Sequence, residues 1–397
     1  MNLSNRIKAM QFSPIRKLST YADDARSRGL KVIGLNIGQP DIETPEVFFK
    51  ALKKFDSKVV AYCDSKGTSP LIESMLKYYN RLGYELEQDN LLITSGGSEA
   101  LMFTLLTICD IGDEIIIPEP FYTNYNGFSD IASVKVRPFR TYAENGFSLP
   151  KREEIEEKIT EKTKAILISN PGNPTGAVYS RDELSMLVDI AIKNNLYIIS
   201  DEVYREFIYD NLTFTSLLEF SEIMDRVIII DSISKRYSAC GARIGAIVTK
   251  NKDIIKNGLK LCQARLCSPT LEQYAAAELI NTPEEYFVEV IKEYEERRNI
   301  LYNLLSKVPD IVCEKPKGAF YLVLKLPIKS SEHFAAWLLE KFSINNKTVM
   351  VAPAGGFYAT DGLGENEIRL SYCVNQDELK AAADILIKGL EEYKRQF

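Results

Sequence analysis

Histidine is almost missing from this chain: His333 is the one example in 397 residues. A zinc site built on imidazoles, or a Ser-His-Asp triad beside other histidines, is therefore excluded as a first reading. Acid–base work falls instead to lysine, tyrosine or a carboxylate. The seven cysteines, at 63, 109, 240, 262, 267, 313 and 373, form no Cys-x-x-Cys pair and are odd in number. That is the pattern of free thiols in a reducing cytosol, with Cys240 singled out because it lies close to Lys235. No apolar run approaches the ~20 residues that span a bilayer. The N-terminus MNLSNRIKAMQFSP also lacks the apolar core of a signal peptide. There is no basic block, and a net charge of −6 with a pI near 5.3 argues against a phosphate-backbone partner. Internal repeats, low-complexity segments and the GxxxxGK[ST] phosphate loop are absent too. The expectation is a cytoplasmic protein with no nucleic-acid or membrane partner and no metal.

What is present is a globular composition, 45% apolar and 26% charged, in a chain long enough for a large domain and a smaller one. Residues 1–43 read as a short helix followed by an extended segment, Leu35-Asn36-Ile37-Gly38-Gln39-Pro40-Asp41. Residues 45–55 and 69–82 read as helices. Short apolar runs then recur at 90–94, 114–118, 133–136, 164–168, 196–200 and 226–231, with helical segments at 98–109, 122–131, 151–160 and 181–194. A second apolar run follows Arg243. Apolar strands alternating with helices predict an α/β fold, a large domain with a mostly parallel seven-stranded sheet between helices. Residues 251–306 are mostly helical, and 307–397 carry an α+β pattern: a strand-pair signal in GAFYLVLKL, the His333 helix, TVMVAP, a glycine-rich turn, EIRLSY and a last helix. The expected division is 44–300 as the large domain, with 1–43 and 301–397 together forming a smaller α+β domain.

Right-handed crossovers bring the ends of parallel strands to one edge, so the residue after each run matters. After NLLIT comes Ser95-Gly96-Gly97-Ser98-Glu99, glycines that open a helix and expose N–H groups to an anion. After KAILI comes Ser169-Asn170-Pro171-Gly172-Asn173-Pro174, a stiff loop that can fix Asn173, in which either X-Pro bond could be cis. After LYIIS come Asp201 and Tyr204, and after RVIIID come Ser232 and Lys235. Each has an ordinary reading by itself: a capped turn, a linker, a structural ion pair, a surface lysine. Together they suit an aldehyde cofactor with a phosphate tail and a basic ring nitrogen. Lys235 condenses with the aldehyde, Asp201 keeps the ring nitrogen protonated, and Gly97, Ser98, Ser232 and Arg243 take the phosphate. Pyridoxal 5'-phosphate has those parts.

The segments TSGGSEA, PEPFYTNY, SNPGNPTG, SDEVY and SISKRYSACGARIG, with GQPDIETP before them and IRLSY after, stand in one order along nearly the whole chain. In this the sequence resembles the fold-type I, class I pyridoxal-phosphate-dependent aminotransferases. The resemblance implies that Lys235 also moves the proton of the substrate carbon. It implies that Asn173 and Tyr204 bond the ring hydroxyl oxygen, that Tyr122 stacks on the ring, and that Glu99 lies beside the phosphate site. Arg369 would clamp the substrate α-carboxylate, with Gly38 in the segment that closes over it. Tyr62 would be lent to the neighbouring subunit's phosphate, so a homodimer with shared active sites is expected. Two loops depart from the family pattern: Ala354 stands where glycine is usual, and Leu71-Ile72 replaces a frequent Leu-Arg.

The implied activity is transamination between an L-amino acid and a 2-oxo acid by a ping-pong route. Aspartate with 2-oxoglutarate is favoured, followed by aromatic amino acids or alanine. A β-lyase of the same fold is the alternative, and would need no oxo acid. A non-catalytic ligand sensor is a remoter one, since such regulators carry an added DNA-binding domain and this chain is expected to begin at the catalytic region. A dicarboxylate would need a second cation near its side chain, and spacing alone identifies none.

Overall fold

The computed structural model of the protein describes residues 2–397. After β1 (Lys31–Gly34), seven strands build the main sheet: β2 (Leu91–Thr94), β3 (Glu114–Glu119), β4 (Lys135–Arg140), β5 (Thr163–Ser169), β6 (Tyr197–Asp201), β7 (Val227–Ser232) and β8 (Gly245–Val248). Their order is β2-β8-β7-β6-β5-β3-β4. Only β8 runs antiparallel, to both β2 and β7, so β2 remains parallel to the rest. Every residue of β2, β3, β7 and β8 is buried. Helices on both faces cover those side chains, and each buried isoleucine or leucine contributes about 1.5–3 kcal/mol.

Two expectations shift for local reasons. The strand expected at 133–136 lies at Lys135–Arg140 and contains Pro138. It is tolerated there because β4 is an edge strand, paired only with β3. The run GAFYLVLKL, expected to signal a strand pair, is one strand, β9 (Tyr321–Lys325). Nothing in it can turn the chain, and its partner comes from much later.

The strands outside the main sheet come from both ends of the chain. β1 pairs in parallel with β10 (Lys347–Met350), and β11 (Ala352–Pro353), β12 (Glu367–Ser371) and β9 form an antiparallel sheet in the order β11-β12-β9. Leu18, Ile33 and Leu35 from the beginning pack with Leu322, Val349 and Leu386 from the end. Tyr204 and Phe207, just beyond β6 in the chain, join that same cluster. The C-terminal edge of the main sheet therefore abuts β9, β12 and the extended N-terminal segment. His333 sits on the helix Ser331–Lys341 with its Nδ1 2.6 Å from the Tyr393 hydroxyl, far in sequence from the strand ends.

Candidate active site

β7 ends on Asp231 and Ser232 and turns at once into the short helix Ile233–Arg236, which carries Lys235. The turn is locked from below. Arg236 grips Asp231 with two bonds of 2.6 and 3.1 Å, and the Tyr79 hydroxyl donates to the same carboxylate at 2.9 Å. Burial pushes the Asp231 carboxyl up, but Arg236 and Arg205 outweigh it and hold it at about 2. Lys235 projects the other way, its Nζ 2.8 Å from the Gly38 carbonyl and 3.7 Å from Cys240 Sγ.

Asp201, at the end of the neighbouring strand β6, has the opposite electrostatics. Its Oδ2 accepts from the Tyr125 hydroxyl at 2.7 Å, and no cation pairs with it among the described residues. Burial raises its carboxyl to about 6, with the Tyr125 bond only partly offsetting that. An acid left at a sheet edge without a counter-charge is an acceptor awaiting a cationic N–H.

The anion end is equally explicit. Gly97 and Ser98 begin the helix Gly97–Ile108 and line the same cavity as Ser232 and Arg243. Arg243 donates to the carbonyls of Ser95 at 3.3 Å and Cys240 at 3.1 Å. A Cβ on Gly96 would lie 2.5 Å from its Nη2, so the guanidinium lies directly over the glycine turn. Ser232 Oγ accepts from the Ser234 N–H at 3.1 Å, ordering the turn that carries Lys235. Helix N-terminus, guanidinium and hydroxyls together form a dianion seat.

The remaining wall comes from β9, β12 and the extended N-terminal segment. Arg369 on the central strand β12 is 1% exposed. Its Nη1 donates to Asn173 Oδ1 at 3.0 Å, its Nη2 donates to the Asn36 carbonyl, and its Nε has no partner. Its guanidinium lies 4.5 Å over the Tyr321 ring, whose hydroxyl is 2.8 Å from that of Tyr204. A side chain on Gly38 would overlap the Tyr321 hydroxyl, so only glycine lets this segment seat. Tyr122 lines the cavity edge-to-face with Tyr125, centroids 5.5 Å apart at 86°.

Gly38, Gly97, Ser98, Tyr122, Asn173, Asp201, Tyr204, Ser232, Lys235, Arg243 and Arg369 thus surround one cavity of about 420 Å³. Two expected residues do not. Glu99 turns away: its Oε2 accepts from the Ser95 N–H at 2.7 Å and faces Arg265 at 3.5 Å, so it caps the turn from behind. Tyr62 is 79% exposed and lies outside this cavity. Both prolyl bonds of the Asn173 loop are cis.

Sequence reasoning missed Tyr125, Tyr321 and Arg16. Tyr125 comes three residues after Tyr122, across the turn that opens the helix Asn124–Ala132, and that spacing was a usable signal. Tyr321 is hidden in a strand-forming run, and Arg16 in a segment that reads as linker.

The residues fit pyridoxal phosphate: an amine, a counter-charge-free acid and a dianion seat face one cavity of suitable chemistry. Comparison with known proteins agrees. The family described as "Aminotransferase class I and II" matches residues 30–386. An aspartate aminotransferase of Pyrococcus horikoshii is 33% identical over 99% of this chain and 98% of its own. An aromatic-amino-acid aminotransferase of Thermococcus litoralis is 31% identical over 99% of this chain and all of its own. The solved alanine aminotransferase of Pyrococcus furiosus superposes with a TM-score of 0.90 at 30% identity, covering 98% of this chain and 100% of that one.

Proposed function

The chain belongs to the class I and II aminotransferases, and on that premise we propose that it transfers the amino group of aspartate to 2-oxoglutarate. It is a pyridoxal-phosphate-dependent transaminase of fold type I. The single observation that carries the site assignment is the pairing, across one cavity, of an amine on Lys235 with an unpaired acid on Asp201. Aspartate is taken from the relatives named aspartate aminotransferase, which include those of Bacillus subtilis and Thermotoga maritima.

Bound here, the cofactor supplies an aldehyde that captures amines and a protonated ring that withdraws electrons from the substrate α-carbon. Lys235 would hold it, Gly97, Ser98, Ser232 and Arg243 would take its phosphate, and Tyr122 would cover its ring. Asp201, steadied by Tyr125, would keep the proton on the ring nitrogen. Asn173 and Tyr204 would hydrogen-bond the ring hydroxyl oxygen. Arg369 would clamp the substrate α-carboxylate through a planar fork, with Asn173 fixing the guanidinium. Lys235 Nζ would be the base that moves the α-proton between the substrate carbon and the cofactor. The Gly38 carbonyl, its partner at 2.8 Å, steadies the amine between those transfers.

Lys235→Ala is expected to lower turnover by at least ~10²–10⁴-fold, the usual worth of a positioned acid–base group, while cofactor still binds. Near-normal turnover of that variant would overturn the assignment. Parallel initial-rate lines and complete dependence on an oxo acid are expected, whereas ammonia release without one would indicate the lyase.

A further inference from the structure

Four cationic side chains line the cavity, Arg16, Lys235, Arg243 and Arg369, against a single carboxylate, Asp201. Three of the four are committed by geometry. Lys235 reaches the Gly38 carbonyl, Arg243 is tied to the carbonyls of Ser95 and Cys240, and Arg369 is buried between Asn173 and Asn36.

Arg16 differs. It ends the short turn Pro14–Arg16, where backbone atoms do the anchoring: Asn36 Nδ2 donates to the Ile15 carbonyl at 3.1 Å and Ser19 Oγ to the Arg16 carbonyl at 2.8 Å. The adjacent Lys17 pairs with Glu332 at 2.6 Å, but no carboxylate pairs with the Arg16 guanidinium among the described residues. Its charge is nonetheless felt inside. Burial raises the Tyr122 phenol, and Arg369, Arg243 and Arg16 each pull it back. The same Asn36 that anchors this turn gives its carbonyl to Arg369. One asparagine thus ties the backbone turn that carries Arg16 to the Arg369 guanidinium.

Pairing indicates the ligand. With a phosphate on Arg243, an α-carboxylate on Arg369 and a ring cation on Asp201, Arg16 is the one guanidinium of the cavity lining left without an anion, and Ile15 and Ile37 line the cavity with it. We propose that Arg16 is the specificity-determining residue of this site, taking the distal carboxylate of a dicarboxylic amino or oxo acid while Arg369 takes the α-carboxylate. This rests on the transaminase reading and adds the residue that selects the substrate class. A charge-assisted pair against partly desolvated walls favours a diacid over a neutral side chain of equal length.

The test measures binding rather than turnover. Calorimetry on the cofactor-loaded protein compares succinate, a non-reactive dicarboxylate, with butyrate, which lacks the second charge. Arg16→Gln is expected to weaken succinate on the order of 10- to 100-fold, the worth of a hydrogen bond to a charged group, while butyrate moves little. Arg16→Lys should restore most of the succinate affinity, since it keeps the charge without the fork. Equal movement of both ligands, or of neither, would overturn the proposal. Arg16 is exposed, so neither variant threatens the fold. The preference for succinate over butyrate is read without catalysis. A protein that shows the preference but does not transaminate would sink the proposed activity and leave this subsite standing.

Discussion

Asp201 and Asp231 sit at the ends of neighbouring parallel strands, yet they meet opposite fates. Asp231 has Arg236 and is held at about 2, whereas Asp201 has a phenol, a long bond from the Val203 N–H and no ion pair, and rises to about 6. The difference is the partner and not the depth, since burial is the first influence on both. For Asp201 the folded value lies above the ordinary 3.8, so ionising it costs the cofactor-free fold. Its favourable contribution is complete below pH 3.8 and is lost as pH rises through about 6. Relative to Asp201→Asn, cofactor-free wild type should therefore lose about 2 kcal/mol of stability between pH 4 and 7, a moderate figure because the carboxyl opens on a wet cavity. Thermal melts of the two proteins across that range check it. Adding pyridoxal phosphate should erase the loss in wild type alone, because a ring cation then faces the carboxylate. A flat difference between the two proteins over the range would mean that Asp201 already has a counter-charge.

At the level of elements, the working unit is a strand joined through a tight turn to a helix. β2, Gly96 and the helix Gly97–Ile108 form one such unit, and Gly96 has φ 81° and ψ 172°, a region open essentially to glycine alone. Gly96→Ala would incur about 1–3 kcal/mol of backbone strain and press a methyl group on Arg243. Cofactor dissociation, monitored by fluorescence on dilution, should accelerate in this variant, and unchanged retention would remove Arg243 from the phosphate seat. This unit was legible in the sequence because its parts are adjacent: the apolar run, the glycines and the helix start stand one after another in TSGGSEA. The same holds for Asp201 and for Lys235, each placed at the end of its own strand. Tyr321 and Arg16 were not legible. Tyr321 matters only because β9 lies beside β12, a pairing between segments more than forty residues apart. Arg16 matters only because Asn36 ties its turn to Arg369. Glu99, expected beside the phosphate site, shows the converse: it follows the glycines in sequence, but its side chain, in the first turn of the helix, folds back on the Ser95 N–H and stays outside the cavity lining.

At the scale of the whole molecule, one residue expected at the site is conspicuously outside its own cavity. Tyr62 is 79% exposed, and Val59 and Val60 beside it are 69% and 60% exposed. Three large apolar side chains in four residues of loop are costly to leave in water, and a two-fold partner would cover them while receiving the Tyr62 hydroxyl. If the phenol works in trans, two defective proteins can repair each other. Lys235→Ala has no amine but keeps Tyr62, and Tyr62→Ala keeps the amine but lacks the phenol. In a hybrid dimer the first subunit lends its tyrosine to the lysine of the second, restoring one complete site. Unfolding and refolding the two variants together at equal concentration makes half the dimers hybrid, so about a quarter of wild-type sites should return, well above the sum of the separate proteins. Mixing that yields only that sum would show either that Tyr62 acts within its own chain or that it does not act at all. The activity of Tyr62→Ala by itself separates those outcomes, since a loss there means that the phenol acts within its own chain, and sedimentation of wild type adds a check, because a monomer excludes sharing outright.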